Sequence, residues 1–183
     1  MRPLNYSTRI IIASCLLIIL PLPALAGQSL WLDAKTGPST FGGSLQGSLS
    51  FSHGPHLLKV RYTWAGKLIH IGLTDRHLDD RAYEVGLLYG MVSRQNRVRL
   101  TAAAGVAYTN VRDYINVTSI GDEANVDVRR FSGVGIPAEI GFLYHFSPVV
   151  AFGSTMFANF NKQKTLAGLN IGLQFGVFDS GGQ

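Results

Sequence analysis

The sequence predicts an all-β fold, an eight-stranded antiparallel up-and-down transmembrane β-barrel. Three observations carry that prediction: side chains alternate between apolar and polar, several alternating segments are long enough to cross a bilayer, and short turns alternate with long polar connections. The alternation is plainest from Ser44 to Ser52, where Ser44, Gln46, Ser48, Ser50 and Ser52 share one parity and Leu45, Gly47, Leu49 and Phe51 the other. Successive side chains of a strand point to opposite faces, so this segment has one polar face and one apolar face.

The first residues form a separate object. Arg2 and Arg9 supply a positive region, Ile10 to Leu20 an apolar one, and Ala24-Leu25-Ala26 an A-x-A cleavage site before Gly27. This pattern predicts a cleaved signal peptide over 1–26 and one barrel domain over 27–183. A single membrane anchor is the alternative, but the apolar run is short for a span and is broken by Pro21 and Pro23. Cys15 is the only cysteine, so no intrachain disulfide holds the fold. Ile12-Ala13-Ser14-Cys15 loosely resembles a bacterial lipoprotein box, yet the apolar run Leu16 to Leu20 would then follow the cut.

Composition agrees with a single apolar β-domain. The 183 residues are 46% hydrophobic and 15% charged, and the 21 glycines follow no collagen-like period. Without Arg2 and Arg9, the 16 basic and 11 acidic residues leave a net charge of +3. That excess is small and scattered, which argues against nucleic acid as a partner. It is compatible with attraction to anionic lipid headgroups or lipopolysaccharide.

Seven further segments repeat the two-residue period, near 29–36, 57–65, 81–93, 97–110, 131–146, 149–160 and 165–177. Val98, Leu100, Ala102, Ala104, Val106 and Tyr108 oppose Arg99, Thr101, Gly105 and Thr109; Leu169, Ile171, Leu173, Phe175 and Val177 oppose Gly168, Asn170, Gly172 and Gln174. A tilted strand crosses a bilayer in about 9–11 residues, a length several of these reach. Gly54-Pro55-His56, Arg94-Gln95-Asn96 and Ser147-Pro148 read as tight turns, and the stretches 66–80 and 111–130 as long polar loops. From a periplasmic N-terminus the tight turns fall inside and the long loops outside.

Aromatic residues fit two lipid–water levels. Phe41, Trp64, Tyr83, Tyr108 and Phe160 are expected at the outer level on the lipid face, and Phe51, Tyr144, Phe146, Phe152 and Phe175 at the inner level. A soluble sandwich or lipocalin-like barrel predicts the same alternation with the apolar face turned inward.

The last segment carries Asn170, Gly172, Phe175 and Val177 at offsets 0, 2, 5 and 7. These positions resemble the C-terminal signal of outer-membrane barrels. Physically, an amphipathic edge strand is open to β-augmentation, and a glycine lets a neighbouring backbone approach. Phe178 to Gln183 follow the motif, whereas the family usually ends at or just after its final aromatic. The whole pattern is similar to the small eight-stranded outer-membrane β-barrel family, OmpA transmembrane-domain and OmpX-like. The resemblance implies a bacterial outer-membrane location, surrounding lipid and lipopolysaccharide, periplasmic chaperones in transit, and insertion by the β-barrel assembly machinery. It transfers no activity.

On the inward parity stand Asp33, Lys35, Lys59, Arg61, Glu84, Arg99 and Glu139, charges that would be costly facing lipid. They are expected to pair and fill the lumen; the alternative is a small gated pore in which Arg61 exchanges between Asp33 and Glu139. His145-Phe146-Ser147 invites comparison with barrel enzymes acting on lipid A, but His145 and Ser147 fall beside a turn that Ser147 starts, and no acid follows before Asp179. His70, Asp75, His77, Asp79 and Asp80 in one loop, and Asp122, Glu123 and Asp127 in the other, lack a closed metal-ligand spacing. Gly133-x-Gly135 leads to Pro137 within a strand, not to a phosphate-cradling helix, and Asn116-Val117-Thr118 is a weak glycosylation match. The expected role is non-enzymatic, structural or surface-interacting, with an external ligand at 66–80 and 111–130 and no cofactor or metal. The same alternation and export pattern would also suit a lipid A-modifying barrel enzyme or a soluble periplasmic β-barrel binder.

Overall fold

The computed structural model describes residues 28–66, 80–120, 123–162 and 164–178, with backbone alone over 114–120 and 123–128. The expected signal peptide and most of the first long loop, with His70, Asp75, His77 and Asp79, lie outside the described residues. Eight strands follow in chain order: β1 (Gln28–Ser39), β2 (Gly42–His53), β3 (His56–Gly66), β4 (Arg81–Gln95), β5 (Val98–Ile120), β6 (Glu123–His145), β7 (Val150–Phe160) and β8 (Leu166–Val177). Each pairs antiparallel with its neighbours in sequence, and β8 returns to β1 to close the barrel. Closure matters because hydrocarbon offers no partner for an open strand edge.

Alternation decides the two surfaces. Leu45, Val60, Val85, Leu87, Val106, Ile136, Ile140 and Met156 are exposed on the outside, whereas Ser44, Gln46, Lys59, Arg61 and Glu84 are buried within. This is the inverse of a soluble barrel. The short serines of β2 leave room for the long side chains of β3, since Ser48 stands opposite Arg61 and Ser50 opposite Lys59. A narrow lumen is filled by such pairing of small with large residues.

The three expected tight turns lie at the end where β1 begins and β8 ends, the terminal end. Gly54 and Asn96 adopt positive φ there, 56° and 55°, as two-residue hairpin connections require. At the opposite, far end, β1 and β2 are joined through Thr40 and Phe41, with Gly42 at φ 107°.

Two expectations are corrected. The stretch 111–130 is not a loop: β5 runs on to Ile120 and β6 begins at Glu123, with one register shift between Tyr114 and Asn116. Its polar composition suggests a loop, but a hairpin standing beyond the bilayer needs no apolar face, and Val111, Ile115 and Val117 favour extended backbone. Phe41 does not face lipid. It is 6% exposed, folded inward over the far end of the lumen, because a turn residue is released from the strand's alternation.

Candidate functional site

The lumen is layered. At the terminal end Trp31, Leu57, Leu88, Ala103, Ala151 and Phe178 form one apolar cluster; at the far end Phe41, Ala65, Ala82, Val111, Phe157 and Leu166 form another, with Phe131 against it. Both leave buried polar side chains between them.

The centre of that polar layer is Arg61. Its Nε donates to Glu84 Oε1 at 3.0 Å and its Nη1 to Glu139 Oε2 at 3.0 Å, while Lys59 pairs with the other oxygen of Glu139. Asn159 Nδ2 donates to Glu84 Oε2 at 2.8 Å and to Thr109 Oγ1 at 2.7 Å. The guanidinium also lies 5.6 Å over the Phe157 ring, joining the ionic layer to the far apolar one. An ion pair this deep persists only when its remaining donors and acceptors are satisfied.

Asp33 and Lys35 form a second group. Lys35 Nζ lies 3.4 Å from Asp33 Oδ1 and donates to Thr155 Oγ1 at 2.8 Å; Ser48 Oγ donates to Asp33 Oδ2 at 2.6 Å. Arg61 is thus held by Glu84 and Glu139 and not by Asp33. Arg99 stands apart from both groups, at the terminal end, with its guanidinium 5.3 Å over Trp31 and 5.3 Å over Phe178.

Charge and parity together omit the uncharged half of this layer. Thr109, Thr155 and Asn159 complete the network, and their signal is a polar residue on the inward parity of β5 or β7. In the sequence Phe178 is only an overhang beyond the terminal motif. Its backbone N–H donates to Pro148 O at 3.1 Å, which folds its ring into the mouth beside Trp31, centroids 5.9 Å apart.

The terminal motif divides between the two surfaces. Asn170 is buried: its Nδ2 donates to Gln46 Oε1 at 2.9 Å and its Oδ1 accepts from Ser44 Oγ at 2.6 Å, tying β8 to β2 across β1. Gly172 stands opposite Lys35 on β1, where a Cβ would lie 2.1 Å from Ala34 O. Phe175 points outward, half exposed, and Val177 ends the strand partly buried.

His145 and Ser147 do not assemble a nucleophile. Ser147 Oγ accepts from the backbone N–H groups of Val149 at 3.3 Å and Val150 at 3.0 Å, whereas the His145 ring packs edge-on to Phe178 at 4.4 Å. Among the described residues no group of three His, Cys, Asp or Glu could hold a metal ion.

The far end carries its own clamp. Lys164 Nζ lies 3.0 Å from Asp80 Oδ2 and 3.2 Å from Asp113 Oδ1, and 4.7 Å over the Phe41 ring. Partial burial opposes the charge on Lys164, but hydrogen bonds to Asp80 and Asp113 outweigh it and raise its pKa above the ordinary lysine value. On the outside, Ala104, Ala138, Ala158 and Ala167 stand in one register row and floor a shallow groove of about 610 Å³ facing the hydrocarbon.

No protein-family model matches the chain, and no curated protein matches it. Solved structures do match. The N-terminal β-barrel domain of Pseudomonas aeruginosa OprF aligns with a TM-score of 0.60 at 14% identity, covering 82% of this chain and 97% of that one. Neisserial surface protein A aligns at 0.55 and 16%, covering 82% and 97%, and Ail, the attachment invasion locus protein of Yersinia pestis, at 0.55 and 10%, covering 82% and 99%. With its apolar exterior, filled lumen and closed strand order, this chain is an eight-stranded transmembrane β-barrel with the fold of the small outer-membrane barrels.

Proposed function

We propose that the protein sits in the bacterial outer membrane as a closed barrel with a structural or surface-interaction role, working through the strands and loops of its far end. The observation that carries this reading is the Arg61 bridge between Glu84 and Glu139, lying between two apolar layers. A permanent pore needs a continuous wet path, and eight strands leave room for little beyond side chains. The terminal end carries only short turns, whereas the far end carries the long 67–80 connection and the prolonged β5–β6 hairpin, an asymmetry that supports a periplasmic terminal end. In this reading outer-membrane lipid and lipopolysaccharide surround the barrel, periplasmic chaperones carry the chain, and the assembly machinery engages β8. An external ligand meets 66–80 and the 111–130 hairpin.

Two measurements test it. The protein should appear in the outer-membrane fraction as a heat-modifiable band; recovery in the soluble pool would favour a periplasmic binder instead. In planar bilayers the refolded chain should show no discrete conductance steps, and regular steps would establish the gated pore.

A further inference from the structure

Three arginines stand in register across the far end of the barrel. Arg81 of β4 is the partner of Arg112 on β5, and Arg112 is the partner of Arg130 on β6. All three are exposed, on the parities that carry the lipid-facing side chains of these strands. Polarity rises in order along this face. Val85, Tyr108 and Val134 make one outward row; Tyr83, Asn110 and Ser132 make the next, with Asn110 Nδ2 donating to Ser132 Oγ at 2.9 Å; the arginines make the third. Tyrosine marks the level where a barrel meets headgroups, and the arginine row lies about 7 Å further along the strands.

Like charges directly opposite one another destabilise a sheet, and neighbouring strands are only about 4.8 Å apart. No side-chain ion pair relieves these arginines among the described residues, since nearby Asp80 and Asp113 are engaged by Lys164. An anion bound against the row would relieve the repulsion. Guanidinium groups match phosphate oxygens two at a time, and three in line offer more than one such fork.

We propose that Arg81, Arg112 and Arg130 form a docking site for the phosphorylated headgroup of an outer-leaflet lipid. The assignment rests on the outer-membrane placement proposed above. It commits to a lipid because the row faces outward, one step beyond the tyrosine level, where membrane phosphates lie and where a soluble ligand would meet the bilayer surface.

The test uses the full chain purified from membranes and reconstituted in phosphatidylcholine vesicles. The vesicles contain a minor fraction of lipid A, either carrying its phosphates or stripped of them. Lipid retained on the protein after extraction is counted by native mass spectrometry. The phosphorylated form should be retained preferentially, and the triple variant R81Q/R112Q/R130Q should lose that preference by about a hundredfold, the combined effect of three basic residues at a membrane surface. R97Q, in a turn at the opposite end, should retain lipid as the unmodified chain does.

Equal retention of both lipid forms, or equal retention by the triple variant, overturns the proposal. Displacement of the lipid by a soluble sulfated oligosaccharide but not by inorganic phosphate overturns the lipid assignment in favour of an external polyanion. If the triple variant fails to give a heat-modifiable band, R112Q alone decides: retention should fall about fivefold, and no change overturns the site. Conductance steps would refute the closed-barrel reading while leaving arginine-dependent retention standing, so the two fail separately.

Discussion

Arg61 and Glu84 face each other on adjacent strands inside the barrel, guanidinium Nε to carboxylate Oε1 at 3.0 Å, with both side chains fully buried. Neither charge has water to fall back on. Removing one partner of a buried pair leaves the other uncompensated, at a cost of about 3–5 kcal/mol. Arg61→Met should therefore lower the urea midpoint of the refolded barrel strongly. Combining it with Glu84→Gln should recover part of the loss, and a double variant as unstable as the two singles summed would show that the residues are not coupled.

Closure of β8 on β1 depends on the missing side chain at position 172. A Cβ there would meet the Ala34 carbonyl at 2.1 Å, a backbone atom that cannot swing away. Gly172→Ala should destabilise the β1–β8 seam and give a weaker heat-modifiable band even when refolding is done in detergent. Phe175→Ala should behave differently. Phe175 points to lipid, so detergent refolding should proceed and only insertion in cells should slow, as pulse-labelling of the folded band would register; equal impairment in both settings would reduce the motif to packing.

In the proposed closed barrel the two apolar layers are separate barriers. Trp31 is 1% exposed beside Arg99 and Phe178, and Phe157 2% exposed beneath Arg61. Truncating either should cost about 3–5 kcal/mol. Neither single variant should conduct, because the opposite layer stays in place. The double variant Trp31→Ala/Phe157→Ala should show discrete steps in planar bilayers, and its silence would assign the barrier to the ionic layer alone.

Lys164 gives the far end a pH dependence of known sign. Its folded pKa is raised by Asp80 and Asp113 against the effect of burial. The stabilisation is fully present below the ordinary lysine value of 10.5 and is lost as pH rises through the raised folded value. About a third of the side chain is exposed, so the effect should be about 1 kcal/mol or less. Thermal melts across that alkaline window should fall for the unmodified chain and fall less for Lys164→Met; parallel curves would refute the linkage.

Strand faces were legible in the sequence because the two-residue period is local. Ser44 to Ser52 reveals its polar parity without reference to any other segment, and the same reasoning puts Lys59, Arg61, Glu84 and Glu139 on the lumenal side. Turn chemistry is local too, which is why the positive φ at Gly54 and Asn96 falls in two of the three expected turns. Phe41 escaped because a turn has no parity. The 111–130 stretch escaped because polarity separates loop from strand only where one face must be buried.

By itself, then, the sequence determined an all-β fold and which side chains share a face, since both follow from alternation along single strands; the closed structure decided that the apolar face is the outer one. Only the tertiary structure decided which lumenal groups meet. Arg61 reaches Glu84 and Glu139 while Asp33 is taken by Lys35 and Ser48, and Arg81, Arg112 and Arg130 fall into one row. Those meetings depend on register and on closure of β8 against β1, which are set by the sum of turns, shear and packing around the whole barrel.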